Sequence, residues 1–150
     1  MICATVPSPF GALTLTETGG RITALSWGGG AGGPDTPVLA AAADQLARYF
    51  SGSLREFDLP LDLGTGFQRA FLAALIAIPC GETRTYGDLA RALGVSAQAI
   101  GQACGANRIP ILIPCHRILG ATGLGGYSGM GGVETKVALL RLEGAAGLLI

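Results

Sequence analysis

The chain has 150 residues, enough for one ordinary domain or for two small ones. Hydrophobic residues make up 49% of it and charged residues only 13%, and this composition excludes a disordered chain. No apolar run is long enough to span a membrane, and ten basic residues balance ten acidic ones, which argues against a protein that binds nucleic acid through bulk positive charge.

The first part of the chain, residues 1–62, has the pattern of a small α/β domain. Apolar and polar side chains alternate on both sides of a glycine turn in residues 11–27, which predicts a β-hairpin with one buried face. Thr36 and Pro37 have the pattern of an N-cap followed by proline in the first turn of a helix. A short strand is predicted at 57–61, and no catalytic spacing is visible in this part.

The second part, residues 66–150, is predicted to be mainly helical. Thr65 and Gln68 have the spacing of a capping box and precede apolar positions at helical spacing over residues 67–78. This part contains seven basic and four acidic residues, whereas residues 1–65 contain three and six. If the protein binds a polyanion, we therefore expect the second part to bind it.

Two short helices joined by a glycine-containing turn follow, an order that predicts a helix-turn-helix. The first begins near Tyr86, and the second covers residues 97–105 with Ser96 as its N-cap. The second is rich in Gly and Ala, with Gln98 and Gln102 one turn apart. Such a surface suits either tight packing in a core or close approach to a groove of DNA.

Free thiols are expected, because the four cysteines form no C-x-x-C pair and no secretory signal is visible at the N-terminus. These features predict a cytoplasmic protein without a disulfide framework. The scattered cysteines and the single histidine give no support to a zinc site. The cysteines are Cys3, Cys80, Cys104 and Cys115, and the histidine is His116.

The adjacent pair Cys115 and His116 is the candidate chemical centre. A thiolate is a strong nucleophile, and His116 is the one imidazole in the chain that could serve as its base. An apolar strand is predicted at 109–113, ended by Pro114. Neighbouring residues in extended structure point to opposite faces, so the pair can touch only on a sharp turn, and otherwise a water must relay the proton.

The sequence around this pair closely resembles the active-site motif of the O6-alkylguanine-DNA alkyltransferases, also called methylated-DNA–protein-cysteine methyltransferases. The resemblance covers residues 67–145 and is weaker before them. The matching segments are Phe67-Gln68-Arg69, the run 78–90 with its Gly81-Glu82-Thr83 and Thr85-Tyr86-Gly87, Asn107 with 109–117, Gly125-Gly126-Tyr127-Ser128-Gly129, and Lys136 to Gly144.

The resemblance implies a fold and a function. The fold is a small N-terminal α/β domain followed by a winged-helix-like domain that contains the helix-turn-helix. The function is DNA repair by a single transfer of a methyl or alkyl group from O6 of guanine, or from O4 of thymine, to a cysteine of the protein itself. The implied partner is double-stranded DNA carrying O6-alkylguanine, contacted in the minor groove by a monomer that uses no cofactor, metal or membrane.

The resemblance also implies a role for each matching residue. Cys115 accepts the alkyl group, His116 acts as a water-mediated base, and Glu143 orients the imidazole. Asn107 holds the turn that carries Cys115, and Tyr86 donates a hydrogen bond or proton to the leaving purine. The residues implied to contact DNA or to line the guanine pocket are Gln98, Ala99, Gln102, Arg108, Arg117, Ile118, Tyr127 and Ser128.

Three departures from the family pattern concern DNA affinity more than chemistry. Gln98 stands where many members have an arginine that fills the gap left by the rotated base. Arg108 stands where proline is usual, and Cys80 stands where an aromatic residue is common.

Three other functions stay open at this point. An alkyltransferase-like protein that only binds lesions lacks the acceptor cysteine, whereas Cys115 is present. A Cys-His hydrolase or thiol transferase needs an oxyanion hole and an acyl pocket. A helix-turn-helix regulator reads base edges with polar and basic side chains, of which the helix at 97–105 offers mainly Gln98 and Gln102.

Overall fold

The structure is a computed structural model and describes residues 1–30, 32–121, 123–127 and 132–145. The chain divides into two compact units, Met1–Asp62 and Leu63–Ile150. None of the helices in the described ranges is long and apolar enough to cross a membrane.

The first unit is a three-stranded antiparallel sheet with one helix against it. The strands lie in chain order, and their alternating side chains bury one face. Gly19 and Gly20, at φ 62° and 79°, form the two-residue turn of the predicted hairpin, in which both residues need a positive φ. The elements are β1 (Ile2–Val6), β2 (Leu13–Thr18), β3 (Arg21–Trp27) and α1 (Pro37–Phe50).

Helix α1 begins as the sequence predicts. The Thr36 hydroxyl oxygen accepts a hydrogen bond from the Leu39 backbone N–H, and Pro37 occupies the first turn. The same hydroxyl donates to the Glu17 carboxylate at 2.5 Å, which ties the start of the helix to strand β2. The apolar face of α1 is fully buried at Leu39, Ala42, Leu46 and Tyr49.

Two features of the first unit differ from the prediction. Strand β1 was not expected, because its short run of mixed residues shows no clear alternation. The predicted strand at 57–61 is reduced to a single bridge between Leu61 and Ile22. Pro60 has no N–H to donate, so it cannot extend a ladder, although its carbonyl accepts from Ile22.

The second unit is a set of helices around a small parallel sheet. The pairing of β4 with β5 brings the start of α3 beside the chain that leaves the 3₁₀ helix, because Thr85 is opposite Leu119. The elements are α2 (Gly66–Ile76), β4 (Arg84–Thr85), α3 (Tyr86–Leu93), α4 (Ala97–Gly105), a 3₁₀ helix (Cys115–Arg117), β5 (Ile118–Leu119) and α5 (Val133–Leu142).

Helices α3 and α4 form the predicted helix-turn-helix. Thr85 and Asp88 form a capping box at the start of α3, and Gly94 ends it in the left-handed conformation. Ser96 caps α4 through the Ala99 backbone N–H. The fold class predicted from the sequence is thereby confirmed.

The predicted capping box at Thr65 is wrong. Thr65 precedes α2 but makes no side-chain capping bond. Gln68, its expected partner, instead donates to the backbone carbonyl of Ala103 on α4 at 3.3 Å. Gln68 therefore joins α2 to α4 instead of capping the start of α2.

The predicted strand at 109–113 is a buried turn. The backbone N–H groups of Leu112 and Ile113 bond back to Pro110 and Ile109, both at 2.9 Å. Ile111 has φ 72°, a conformation that a β-branched residue adopts only when its surroundings enforce it. Burial of the whole apolar run, with Ile111 1% exposed, supplies that enforcement.

Candidate active site

The 3₁₀ helix sends three consecutive side chains in different directions. With three residues per turn, neighbouring side chains are about 120° apart. Cys115 therefore lines a cavity, while His116 and Arg117 both turn to Glu143 at the end of α5. Since Nδ1 of His116 has no hydrogen-bond partner among the described residues, Cys115 does not bond it directly, and a proton that moves between them needs a water relay.

Glu143 holds both neighbours of Cys115 through its carboxylate. His116 Nε2 lies 2.6 Å from Oε2, and Arg117 donates from Nε to Oε1 at 2.8 Å and from Nη2 to Oε2 at 3.0 Å. Arg117 Nη1 donates further to the carbonyl of Ile78 at 2.6 Å. The side chains of His116 and Glu143 are completely buried, so these bonds are shielded from solvent.

The electrostatics of this network fix the tautomer of His116. Burial raises the pKa of Glu143, but hydrogen bonds from His116 and Arg117 outweigh it and bring the pKa to about 2. An ionised carboxylate can only accept, so Nε2 of His116 carries the proton and Nδ1 keeps a lone pair. Nδ1 has no hydrogen-bond partner among the described residues.

Cys115 is 7% exposed and lies at the wall of the cavity. Burial raises the pKa of its thiol, and a hydrogen bond from Asn107 and the charge of Lys136 oppose that rise. Asn107 also donates to the carbonyl of Ile113 at 3.1 Å and accepts from the Ile109 N–H at 3.0 Å. Asn107 thus bridges the two ends of the turn that precedes Cys115.

The cavity has a volume of about 300 Å³, at the small end of ligand sites. Burial raises the pKa of Tyr86, which keeps its hydroxyl protonated, and a backbone hydrogen bond from Gly126 opposes this. No group of three or more His, Cys, Asp or Glu side chains in the described part is placed to hold a metal ion. The cavity is lined by Tyr86, Gly101, Cys104, Gly105, Cys115, Gly126 and Tyr127.

Lys136 supports the site, a role that its position in the sequence did not predict. Its side chain is fully buried, and Nζ donates to the carbonyls of Ile118 at 2.5 Å and Gly126 at 3.0 Å. One ammonium group therefore fastens α5 to the strand after Cys115 and to the cavity wall. Burial lowers the pKa of Lys136 to about 8. The sequence signal for this role is that Lys136 lies on the same face of α5 as the apolar residues Leu139 and Leu140.

The residues predicted to contact DNA occupy different positions. Gln98 and Gln102 are exposed on one face of α4, with Ala99 half-buried beside them, and Arg108 is exposed after the helix. Tyr127 lines the cavity. Ser128 lies outside the described residues.

Two of the predicted contacts need correction. The guanidinium of Arg117 is engaged with Glu143 inside the unit, so its side chain has no surface from which to reach DNA. Ile118 is fully buried, and its N–H and carbonyl bond to Cys115 and Lys136. Neither residue is among those that line the cavity, and both hold the 3₁₀ helix and β5 in place through buried hydrogen bonds.

The buried pair predicts acid sensitivity. Burial lowers the pKa of His116 below its ordinary 6.5. At a pH between these two pKa values, the imidazole is protonated in the unfolded chain and neutral in the folded protein. The free energy of unfolding should therefore fall as the pH drops below about 6.5, and the depressed pKa of Glu143 continues the loss at lower pH. Urea unfolding between pH 7.5 and pH 5, at roughly half-unit steps, measures this slope. A His116→Gln variant with an equally steep slope from pH 6.5 to 5 would contradict the assignment.

Two family models together match nearly the whole chain. The model of the 6-O-methylguanine DNA methyltransferase ribonuclease-like domain matches residues 1–63. The model of the 6-O-methylguanine DNA methyltransferase DNA binding domain matches residues 66–145.

Individual relatives agree with these models. The methylated-DNA–protein-cysteine methyltransferase of Mycobacterium tuberculosis H37Rv is 45% identical over 93% of this chain and 90% of its own. The constitutive enzyme of the same name from Bacillus subtilis is 40% identical over 93% of both chains. The crystal structure of Mycobacterium tuberculosis OGT in complex with DNA matches with a TM-score of 0.82 and 46% identity, covering 95% of this chain and 92% of that one. The chain therefore belongs to the 6-O-methylguanine DNA methyltransferase family.

Proposed function

We propose that this protein repairs DNA by transferring a methyl or other alkyl group from O6 of guanine, or from O4 of thymine, to Cys115, once per molecule. The observation that carries the proposal is the position of Cys115 on the cavity wall, next in the chain to a His116 that is hydrogen-bonded to Glu143. The relatives are named methylated-DNA–protein-cysteine methyltransferases, and the family models match both units.

The reaction is an in-line displacement at the alkyl carbon. A bond forms between Sγ of Cys115 and the carbon as the bond from that carbon to O6 breaks. The thiol proton passes to Nδ1 of His116, which holds the free lone pair, through a bridging water. Glu143 stabilises the imidazolium that results, because its carboxylate is ionised and 2.6 Å from Nε2.

Tyr86 supplies the leaving-group assistance. Guanine is a poor leaving group as an anion, and a protonated phenol within the cavity can donate to it. Because burial raises the pKa of Tyr86, its hydroxyl keeps a proton that it can donate to the base. The thioether formed at Cys115 resists water, so the protein is consumed by the reaction.

The exposed face of α4 is the proposed contact with duplex DNA. Gln98 and Gln102 lie one turn apart there, and the small residues Ala99 and Gly101 between them allow close approach to the minor groove. The damaged nucleotide must rotate out of the stack to reach Cys115, and weak pairing of the lesion lowers that cost. Action as a monomer in the cytoplasm completes the proposal. The single-use chemistry needs no second subunit, and the acceptor thiol of Cys115 stays reduced in that compartment.

Mass spectrometry tests the proposed function directly. Incubation with a duplex that carries one O6-methylguanine should replace one hydrogen by one methyl on the peptide that contains Cys115. Excess lesion DNA should not add a second methyl, and a duplex with unmodified guanine should add none. Repaired DNA with an unchanged protein mass would show a hydrolase instead. A folded protein that leaves the lesion intact would refute repair altogether.

Gln98 gives a second test, because the resemblance to the family implies an arginine at this position in many members. Gln98→Arg should speed repair in duplex DNA by about tenfold, the effect of one charge-assisted hydrogen bond. Repair of free O6-methylguanine should not change, since no stack has to be opened. Single-turnover rates with both substrates measure the difference, and equal acceleration of both would contradict a role of this position in base rotation.

A further inference from the structure

A glycine-rich segment lies along the edge of the sheet in the first unit. The sheet order β1–β2–β3 puts β1 at an edge, with one side of its backbone turned away from β2. The backbone N–H of Thr5 on β1 donates to the carbonyl of Gly32 at 3.0 Å, outside the pairing with β2. We name residues 28–30 and 32–33, all of them glycines, the strap. The strap therefore occupies a hydrogen-bonding position that a further strand would otherwise use.

Two threonine side chains hold the strap on the sheet. Thr5 and Thr14 are opposite each other in β1 and β2, so their side chains lie on the same face. The Thr5 hydroxyl donates to the carbonyl of Gly30 at 3.0 Å and accepts from the N–H of Gly30 at 3.1 Å. The Thr14 hydroxyl donates to the carbonyl of Gly28 at 2.8 Å. The strap is thus fastened by the side chains of the sheet and by the Thr5 backbone.

Gly32 reaches its position beside β1 because it has no side chain. Its φ of 98° is in the left-handed region, and a Cβ atom on it would lie 2.5 Å from the carbonyl oxygen of Cys3. A larger residue at this position would therefore displace the strap from β1. Gly29 differs, because a Cβ atom on it would make an ordinary contact of 3.5 Å with the side chain of Ala12.

Strand β1 itself lacks the charged side chains, proline and bulges that protect many sheet edges. Its five residues, Ile2–Val6, are uncharged and include no proline. Its register with β2 is regular throughout. At its start, Met1 and Ile2 are 91% and 45% exposed. Without the strap, β1 would present unpaired backbone groups beside apolar side chains, a combination that favours pairing with another strand.

We propose that the edge of β1 is a surface for pairing with a second copy of this chain, and that the strap keeps the protein monomeric by covering it. A strand that pairs antiparallel with its own copy places its residues opposite each other across a two-fold axis, where like charges would repel. Strand β1 carries no charge, so this repulsion does not arise. The inference goes beyond the proposed function and is independent of it, because all of its residues belong to the first unit.

Gly32→Ala tests this inference. The added methyl group should displace the strap, and sedimentation velocity should show the apparent mass of the protein doubling as its concentration rises. The wild-type protein should keep the monomer mass at the same concentrations. Gly29→Ala is the matched control, because it adds the same methyl group to the strap without a close contact, and it should stay monomeric.

Two further variants identify the surface. Ile2→Lys, combined with Gly32→Ala, puts a charge on the uncovered edge of both copies and should restore the monomer. Thr5→Val with Thr14→Val removes the hydroxyls that hold the strap but keeps strand-forming residues. This double variant should also dimerise, and it decides the matter if Gly32→Ala does not fold. A folded Gly32→Ala protein that stays monomeric, a dimer that Ile2→Lys leaves intact, or equal dimerisation of Gly29→Ala would each overturn the inference.

Discussion

Cys115→Ala is expected to abolish alkyl transfer completely in a protein that still folds and still binds duplex DNA. The substitution removes the sulfur that forms the new bond. The other thiol of the cavity, Cys104, is held neutral because burial raises its pKa to about 12, and it is therefore a poor nucleophile. Since burial raises the pKa of this thiol, the change removes a neutral group and should lower the free energy of unfolding by only about 1 kcal/mol. Intact mass after incubation with O6-methylguanine DNA, urea unfolding and titration of a labelled duplex measure the three properties.

Cys3→Ala is the matched control for loss of a thiol. Cys3 belongs to the first unit, where Sγ lies 3.7 Å from the hydroxyl of Thr16. The control should accept one methyl at the wild-type rate. A methyl group found on any residue of the Cys115→Ala protein would place the acceptor elsewhere, and loss of DNA binding would show that the cysteine has a structural role.

Local patterns predicted much of the fold. The alternation around the turn of Gly19 and Gly20 gave a correct hairpin, and Thr36 and Ser96 gave correct helix starts, because capping and turn chemistry act within a few residues. The predictions failed where contacts between residues far apart in the sequence determine the local structure. Gln68 bonds to a carbonyl of another helix instead of to the cap, a choice that no local pattern contains.

The turn at 109–113 shows a different limit of sequence reasoning. A short apolar run is compatible with a buried strand or with any other buried segment, and periodicity alone cannot separate them. The positive φ of Ile111 is enforced by burial and by the two bonds of Asn107, which the sequence does not place in space.

The chemistry of the site stays a prediction of the motif resemblance, whereas the residues that support it could not be predicted. The motif resemblance identified Cys115, His116 and Glu143, and the structure brings them to one place. Arg117 and Lys136 had counted toward a basic surface, yet both are buried, and each holds a wall of the site. Whether a basic side chain faces solvent or a buried carboxylate depends on a partner about 26 residues away, as it does for Arg117 and Glu143.

Glu143→Ala should strongly destabilise the second unit and should also stop transfer. The change leaves the guanidinium of Arg117 buried without its carboxylate, and it leaves Nε2 of His116 without an acceptor. Breaking one side of a buried ion pair lowers the free energy of unfolding by about 3–5 kcal/mol, a large fraction of the total for a small protein. Urea unfolding at pH 7.5, at roughly room temperature, measures the loss.

Glu134→Ala, in the first turn of the same helix, is the matched control because Glu134 is exposed. It should change the free energy of unfolding by no more than about 0.5 kcal/mol. Equal stability of the two variants would contradict a structural role of the buried carboxylate. The double variant Glu143→Leu with Arg117→Met replaces both charges by apolar groups and should recover part of the lost stability. It should still transfer slowly or not at all, because His116 then lacks the carboxylate that stabilises its charged form, and full activity in this variant would assign Glu143 to the scaffold alone.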